Sequence, residues 1–385
     1  MTEILRFFPE KRVNYLDGHP LNDRDVEKRF DEQESLWLAE IIPSAWKAMH
    51  GSFDRDNSEL ISLAHGNCIW GEYPDGEAYA RMLVQGQEAL KSISSKSHVY
   101  AWVNLQNADD ALAARTILQE IGNPNSIIAT AYYPYARGDR TFRYMDGSRD
   151  LLLLNTLLKD MANENVTGIM TIDAHSQGLP WFCLKNGIAV LCLSAMPLLL
   201  GRAQDMGYLE DCDVVVASGD DGASSLGRIA KTLLQCSEMI VGSKYKKNGK
   251  TVVHYSDSDI QKVKDKTVVL PEDIISTGGT LESAIKELLD LGRAKKVVVL
   301  ATFPIMAGSA LEKLGFDDRI KIITTDGRTP LSPIGESKNI DVVPLINKLP
   351  HILRLDQQGV DFFNPDGVEQ LARLGLCLAP WQLKV

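Results

Sequence analysis

The chain has 385 residues, enough for two domains of ordinary size. Its 44% hydrophobic and 24% charged residues are typical of a globular protein, and its apolar runs fall short of the roughly 20 residues that a membrane span needs. The net charge of −10 argues against nucleic acid as a general partner, because phosphate backbones bind to basic surfaces. The first residues also lack the basic-then-apolar pattern of a signal peptide, so we expect a cytoplasmic protein.

The first half of the chain begins with a polar segment and then alternates between strands and helices. Residues 1–55 are rich in acids and predict an N-terminal extension with one or two helices. From about residue 60, short β-branched runs alternate with helical segments. Strands are predicted at 98–105, 126–133 and 167–175, and helices at 110–122 and 148–164. Such alternation predicts a parallel sheet with helices on both faces.

The second half repeats this alternation. Strands are predicted in DCDVVVASGDD, SEMIVGSKYK, KTVVLPED, KKVVVLATFP and RIKIITTDG, and helices in PLLLGRAQDMG, GASSLGRIAKTLL and TLESAIKELLDLG. A turn at 364–367 precedes a short amphipathic helix. We therefore predict an α/β protein with domains at 56–188 and 189–350, a C-terminal appendage at 351–385, and the N-terminal extension already described.

The most informative segment is VVLPEDIISTGGT at residues 268–280. An apolar strand leads to the acidic pair Glu272 and Asp273, and a small, hydroxyl-rich turn at 276–280 then opens a helix. Backbone N–H groups of such a turn surround a phosphate, and the helix N-terminus adds partial positive charge. The carboxylates can accept hydrogen bonds from sugar hydroxyls or hold Mg²⁺ through water. The segment therefore predicts a site for a phosphorylated sugar.

Other polar clusters follow the predicted strands. Residues 135–140 follow one strand, Asp173 and His175 follow the next, and Ser218 and Asp220 follow a third. Ligands of open parallel sheets bind at the carboxyl ends of strands. The clusters are therefore candidates for one functional edge of each sheet.

The 268–280 segment resembles the phosphoribosyl-pyrophosphate (PRPP) motif shared by type I phosphoribosyltransferases and ribose-phosphate diphosphokinases (PRPP synthetases). The usual motif has Asp-Asp and then Asp-Thr-x-Gly-Thr, so Glu272 and Ser276 are departures. Further segments resemble those of PRPP synthetases in the same order, with Gly219 in place of a proline and Lys246 in place of an arginine: EYPDGE (72–77), PYARGDR (134–140), IDAHSQG (172–178), SGDDGA (218–223) and SKYKK (243–247).

The resemblance implies two type I phosphoribosyltransferase-like domains, a homo-oligomer, and Mg²⁺-dependent transfer of diphosphate from ATP to the C1 hydroxyl of ribose 5-phosphate. It implies catalytic roles for Lys244, Lys246 and Arg137, and ATP contacts from Tyr73, Asp75, Glu77, Arg137, Asp139 and His175. It assigns ribose phosphate to Asp220, Glu272, Asp273, Ser276, Thr277, Gly278, Gly279 and Thr280, and Mg²⁺ to His175 and Asp220.

Other functions remain open at this stage. The departures at Glu272, Ser276 and Lys246 are compatible with the same transfer to a larger acceptor that ends in ribose 5-phosphate, such as ADP-ribose. A phosphoribosyltransferase that consumes PRPP and a non-catalytic regulatory partner of an active synthetase are further alternatives. Structural roles are also open: His175 as a core histidine, Asp220 as a helix cap, and the lysines after Ser243 as a solvated turn.

Overall fold

The computed structural model describes residues 42–47, 49, 58–62, 68–75, 78–82, 96, 98–123, 125–139, 150–210, 213–220, 224–247, 250–314, 317–335, 337–379 and 382. The described residues form two compact units. The first comprises those up to Leu193, with Asn347–Gly367 and residue 382; the second comprises those of Ser194–Ile346 and Val368–Pro380. The prediction of 1–55 as an extension falls largely outside the described residues, and the predicted domain limits stay a prediction.

The first unit is built around parallel strands in the order β1, β4, β5, β6, β7. These are β1 Ser58–Ser62, β4 His98–Trp102, β5 Ser126–Thr130, β6 Val166–Ile172 and β7 Ala189–Ser194. A separate antiparallel pair consists of β2 Cys68–Glu72 and β3 Ala78–Met82. The helices are α1 Ala108–Ile121, α2 Leu153–Asn163 and α3 Gly178–Lys185.

The two chain segments at the ends of the first unit contact each other. A helical segment at 42–47 lies against α9 Leu349–Gln357, where the Trp46 indole donates to Asp356 over 3.1 Å. The Lys47 ammonium pairs with Asp361 at 2.9 Å. These bonds join residues more than 300 positions apart, so the C-terminal segment completes the first unit.

The second unit contains a fully parallel sheet in the order β15, β14, β13, β12, β8, β9. Its strands are β8 Val214–Ser218, β9 Met239–Val241, β12 Thr267–Ile275, β13 Lys296–Pro304, β14 Ile320–Thr325 and β15 Ile340–Val343. An antiparallel hairpin of β10 Ser243–Lys247 and β11 Lys250–His254 stands apart from this sheet.

Helices cover both faces of the second sheet. They are α4 Met196–Asp205, α5 Ser224–Leu234, α6 Asp257–Ile260, α7 Gly279–Lys286, α8 Ala310–Leu314 and α10 Pro365–Arg373. A π-helical turn at Glu287–Leu291 continues α7. One apolar layer packs α7 and α8 against the sheet, and another packs α4 and α5 against the opposite face.

The fold class predicted from the sequence is confirmed: both sheets are parallel and both units are α/β. The helix predicted at 148–164 is shorter, because it begins only at Leu153, after the non-helical residues 150–152. Strand β5 ends at Thr130, and the chain then turns through Tyr135, which has a positive φ of 61°. Within the described part of the chain, helices long and apolar enough to cross a membrane are absent.

Candidate active site

The strand order of the second unit reverses between β8 and β12. From β8 the chain moves outward to β9, whereas from β12 it moves the other way through β13, β14 and β15. A reversal of this kind opens a crevice at the carboxyl ends of the two strands. Asp220 lies just beyond β8, and Glu272 and Asp273 lie near the end of β12. The topology therefore brings these three predicted residues to one edge.

The side chain of Glu272 reaches across to the end of β8. A Cβ placed on Gly219 would lie 3.3 Å from the Glu272 Oε1, which is a tight contact. A glycine at this position therefore leaves room for the longer of the two acidic side chains. The departures at 219 and 272 are adjacent in space, a relation that the sequence did not reveal.

The turn that follows β12, residues 276–280, is called the phosphate turn below. Gly278 caps α7 in the left-handed conformation, with φ of 72°. A side chain there would be strained, and its Cβ would lie 3.3 Å from Leu314 and 3.5 Å from Ala310 of α8. Position 278 is the variable position of the usual motif, and in this chain a glycine fits it because the backbone is left-handed there and α8 packs closely behind it.

Successive carbonyl groups of the phosphate turn accept hydrogen bonds from the protein. Those of Ile275 and Ser276 accept from backbone N–H groups at 3.0 Å, that of Gly278 accepts at 2.8 Å, and that of Thr277 accepts from the Lys313 ammonium at 2.9 Å. The donors to the first three are Met306, Ala307 and Glu282. The N–H groups that begin α7 have no intrahelical acceptor and carry partial positive charge. The turn is therefore held in place by the protein, and its N–H groups at the start of α7 are of the kind that binds anions.

The hairpin of β10 and β11, residues 243–254, is called the lysine hairpin below. The lysines after Ser243 lie in this hairpin, with Lys244 paired in register with Val253 and Lys246 with Thr251. The Lys244 ammonium lies 2.7 Å from the Asp220 carboxylate, and both side chains are about one third exposed or less. Lys246 is exposed. The hairpin therefore brings one predicted catalytic lysine to the edge that carries Asp220.

Tyr255 follows the lysine hairpin and lies in the apolar layer that also contains residues of β12 and α7. Its side chain is fully buried, and the hydroxyl has no hydrogen-bond partner among the described residues. Burial raises its pKa well above the usual value, and the charges of Glu272, Glu287 and Asp220 raise it further. The phenol is therefore neutral at physiological pH and adds no charge to the cluster of carboxylates.

In the first unit, two predicted segments meet at the carboxyl ends of β5 and β6. The Ser176 hydroxyl donates to the Asp139 carboxylate, which is 8% exposed, and the Gly178 N–H donates to the Ser176 oxygen over 2.8 Å. Asp173, at the end of β6, is buried and has a positive φ of 36°. The structure therefore joins the PYARGDR segment to the IDAHSQG segment through a partly buried hydrogen bond.

The remaining predicted residues of the first unit lie at the surface. Arg137 and His175 are exposed, which argues against a core role for His175. Tyr73 and Asp75 lie in the exposed turn after β2. Glu77 lies outside the described residues. The two groups of predicted residues belong to different units, with Arg137, Asp139 and His175 in the first and Asp220, Lys244 and the phosphate turn in the second.

Several residues at the site were not predicted from the sequence. Lys313 contacts the phosphate turn, and Ser283 and Glu287 contact the lysine hairpin. Lys313 and Glu287 lie in helical stretches rich in charged side chains, where nothing marks one of them as special. Only the register of the helices against the turn and the hairpin distinguishes them.

Comparison with known proteins identifies the family. A phosphoribosyl transferase domain matches residues 202–321. The chain is 30% identical over 271 residues to ribose-phosphate pyrophosphokinase 2 of Archaeoglobus fulgidus, covering 70% of this chain and 87% of the relative. The chain belongs to the ribose-phosphate pyrophosphokinase family. The predicted membership of this family is thereby confirmed, and with it the prediction of a diphosphotransferase.

A further relative and a solved structure agree with this assignment. The ribose-phosphate pyrophosphokinase of Bacillus caldolyticus is 25% identical over 304 residues, covering 77% of this chain and 88% of the relative. The phosphoribosylpyrophosphate synthetase of Mycobacterium smegmatis has a similar fold, with a TM-score of 0.60 and 19% identity over 78% of this chain and 99% of that structure. The similarity to that structure extends across both units.

Metal binding here depends on how the side chains able to hold an ion are grouped in the part of the chain that the structure describes. Among them, groups of three or more His, Cys, Asp or Glu side chains able to hold a metal ion are absent. Mg²⁺ in phosphoryl-transfer sites is commonly held by one or two carboxylates together with substrate phosphates. Asp220, a half-buried carboxylate just beyond β8, would meet that requirement by exchanging its pair with Lys244 for the ion.

Proposed function

We propose that this chain transfers the β,γ-diphosphate of ATP to the C1 hydroxyl of ribose 5-phosphate and releases AMP and PRPP. The observation that carries the proposal is the edge between β8 and β12, where an anion-binding turn, two carboxylates and the ion pair of Lys244 with Asp220 occur together. The names of the relatives support the same activity.

In this proposal the phosphate turn binds the 5-phosphate of the sugar. The N–H groups of Gly279 and Thr280 at the start of α7 donate to phosphate oxygens, as do the hydroxyls of Ser276 and Thr277. Glu272 and Asp273 accept hydrogen bonds from ribose hydroxyls. These contacts leave the C1 hydroxyl free to react.

The reaction is an in-line displacement at phosphorus. The C1 oxygen forms a bond to the β-phosphorus, the bond from that phosphorus to the α,β-bridging oxygen breaks, and the C1 hydroxyl proton passes to solvent. Because the transition state spreads negative charge over phosphate oxygens, cations supply most of the catalysis. Lys244, Lys246 and Arg137 provide them in this proposal. Lys244 exchanges Asp220 for a phosphate oxygen during the reaction.

The first unit binds ATP in this proposal. Its contacts come from Tyr73, Asp75, Glu77, Arg137, Asp139 and His175. His175 and Asp220 would hold Mg²⁺, which when bound neutralises phosphate charge and orients the diphosphate. The partly buried hydrogen bond of Ser176 to Asp139 supports this role, because it ties down the loop that carries Arg137.

The experiment is mass spectrometry of the products formed from ATP, Mg²⁺ and ribose 5-phosphate by the purified chain. We expect equal amounts of AMP and PRPP, and complete loss of both when EDTA removes the metal. Unchanged ATP would contradict the proposal and favour a regulatory partner. Release of pyrophosphate from PRPP with a nucleobase, and no AMP from ATP, would indicate a phosphoribosyltransferase.

The contact between Gly219 and Glu272 favours a second candidate acceptor, ADP-ribose. A longer carboxylate beside a glycine changes the shape of the edge that faces the sugar, so the two departures together alter the part of the site that recognises the acceptor. An acceptor panel with AMP release as readout compares ribose 5-phosphate with ADP-ribose directly. Transfer to ADP-ribose alone would replace the first acceptor with the second.

We further propose that the enzyme is a cytoplasmic homo-oligomer. Light scattering during size-exclusion chromatography measures its mass in solution. A particle of monomer mass at assay concentration would contradict the homo-oligomer.

A further inference from the structure

The lysine hairpin is attached to the helix that begins at the phosphate turn. The Val253 N–H donates to the Ser283 hydroxyl over 3.0 Å, and the Tyr255 N–H donates to the Glu287 Oε1 over 2.9 Å. Ser283 and Glu287 are four residues apart, so both lie on the face of α7 that meets β11. The outer edge of β11 is therefore bonded by side chains instead of another strand.

Glu287 makes more contacts to the hairpin than Ser283 and is largely buried. Its side chain is 10% exposed, and the same Oε1 that accepts from Tyr255 lies 2.8 Å from the Nδ1 of His254. The π-helical turn begins at this residue. Turns of this type are often found at functional sites, where they direct one side chain away from the regular helical face.

The register of the hairpin connects this contact to catalysis. Val253, whose N–H is held by Ser283, lies directly opposite Lys244 in the antiparallel pair. The Val253 and Tyr255 side chains are fully buried in the layer that contains Leu281 and Ala284 of α7. A single helix, α7, therefore contacts the strand opposite Lys244 at one point and begins at the phosphate turn at the other.

We propose that Glu287, assisted by Ser283, is a positioning residue that holds the Lys244 backbone at a fixed distance from the phosphate turn. This inference rests on the proposed function, because it assigns the purpose of the contact to the diphosphate transfer. Glu287 does not contact substrate. It acts on the transition state through Lys244.

The test combines single variants with a double-mutant cycle. Glu287→Ala is expected to lower kcat about tenfold, the effect of one lost hydrogen bond to a charged group, with KM for ribose 5-phosphate within about twofold. Glu287→Gln keeps an oxygen for the Tyr255 N–H and should stay within about threefold of the parent. Asp290→Ala removes an exposed carboxylate from the same π-helical turn and serves as the matched control.

The cycle separates positioning from general destabilisation. In a Lys244→Ala background, adding Glu287→Ala should change kcat less than about twofold, because the lysine through which Glu287 acts is gone. Equal effects with and without Lys244 would overturn the inference, as would a Gln variant as slow as the Ala variant. Ser283→Ala, a milder change, provides the same cycle if Glu287→Ala does not fold.

A readout without catalysis distinguishes this inference from the proposed function. Trypsin cleavage after Lys246 should accelerate several-fold in Glu287→Ala and not in Asp290→Ala, while cleavage elsewhere stays unchanged. If the parent enzyme releases no AMP, the proposed function fails and the trypsin result alone decides whether Glu287 fixes the hairpin. Equal cleavage rates in all three proteins would reject the anchor.

Discussion

The phosphate turn and the lysine hairpin lie at the same edge of one sheet but bind charge in different ways. The turn offers backbone groups, and the carbonyls of Ser276, Thr277 and Gly278 are bonded within the protein, so its shape is set by the packing of β12, α7 and α8. The hairpin offers lysine side chains on an exposed strand, and Lys244 pairs with Asp220. In the proposed mechanism, binding of the sugar phosphate depends on rigid geometry, whereas catalysis depends on a charge that changes partners.

The largest effect should come from the hairpin. Lys244→Ala is expected to reduce kcat by about 10² to 10³, the loss typical of one group that stabilises transition-state charge, with little change in KM for ribose 5-phosphate. Steady-state AMP release measures both constants. Lys262→Ala, which removes an exposed lysine paired with Asp259, is the control. A kcat within twofold of the parent would remove Lys244 from the mechanism.

A substitution in the phosphate turn should change KM for ribose 5-phosphate more than kcat. Gly278→Ala adds a side chain at φ of 72° and against Leu314, so we expect a loss of about 1–2 kcal/mol in the free energy of unfolding and about a tenfold rise in KM for ribose 5-phosphate. Gly187→Ala is the matched control, because φ is 75° and the space is open. The Gly187→Ala variant should lose stability with KM unchanged. An equal rise in KM in both variants would mean that the phosphate turn does not bind the phosphate.

Lys313 should have a smaller effect of the same kind. Lys313→Ala removes the donor to the Thr277 carbonyl, and KM for ribose 5-phosphate should rise about three- to tenfold with kcat nearly unchanged. Lys286→Ala removes a lysine from the exposed face of α7 and should leave KM as it is. A fall in kcat without a change in KM would assign Lys313 to catalysis. The separation of binding at the turn from catalysis at the hairpin would then be wrong.

The smallest effect should be that of Tyr255→Phe. The hydroxyl is buried without a partner among the described residues, so its removal should leave the free energy of unfolding unchanged or raise it by up to about 1 kcal/mol. Urea unfolding provides the measurement. Tyr255→Ala, by contrast, should cost about 3–5 kcal/mol through the cavity it creates. A large loss on removing the hydroxyl alone would mean that it bonds within the site.

The α/β class, the strand that carries Lys244 and the position of the phosphate turn followed from the sequence alone. These features have local causes: alternating apolar patterns give strands and helices, and a small, glycine-rich turn after a buried strand opens a helix. The acidic residues at the strand ends could be found for the same reason, because the carboxyl ends of parallel strands all lie at one edge of the sheet. The left-handed backbone at Gly278, by contrast, became visible only in the structure.

Only the tertiary structure decided which distant side chains meet these local features. Lys313 reaches Thr277 from 36 residues away, and Glu287 reaches Tyr255 from 32 residues away. Gly219 and Glu272 likewise lie side by side although about 50 residues separate them in the chain. Such contacts depend on strand order and on how each helix is rotated against the sheet, and one sequence does not encode these in any short pattern. Short sequence patterns therefore identified the candidate site residues, and long-range packing determined which other residues hold them in place.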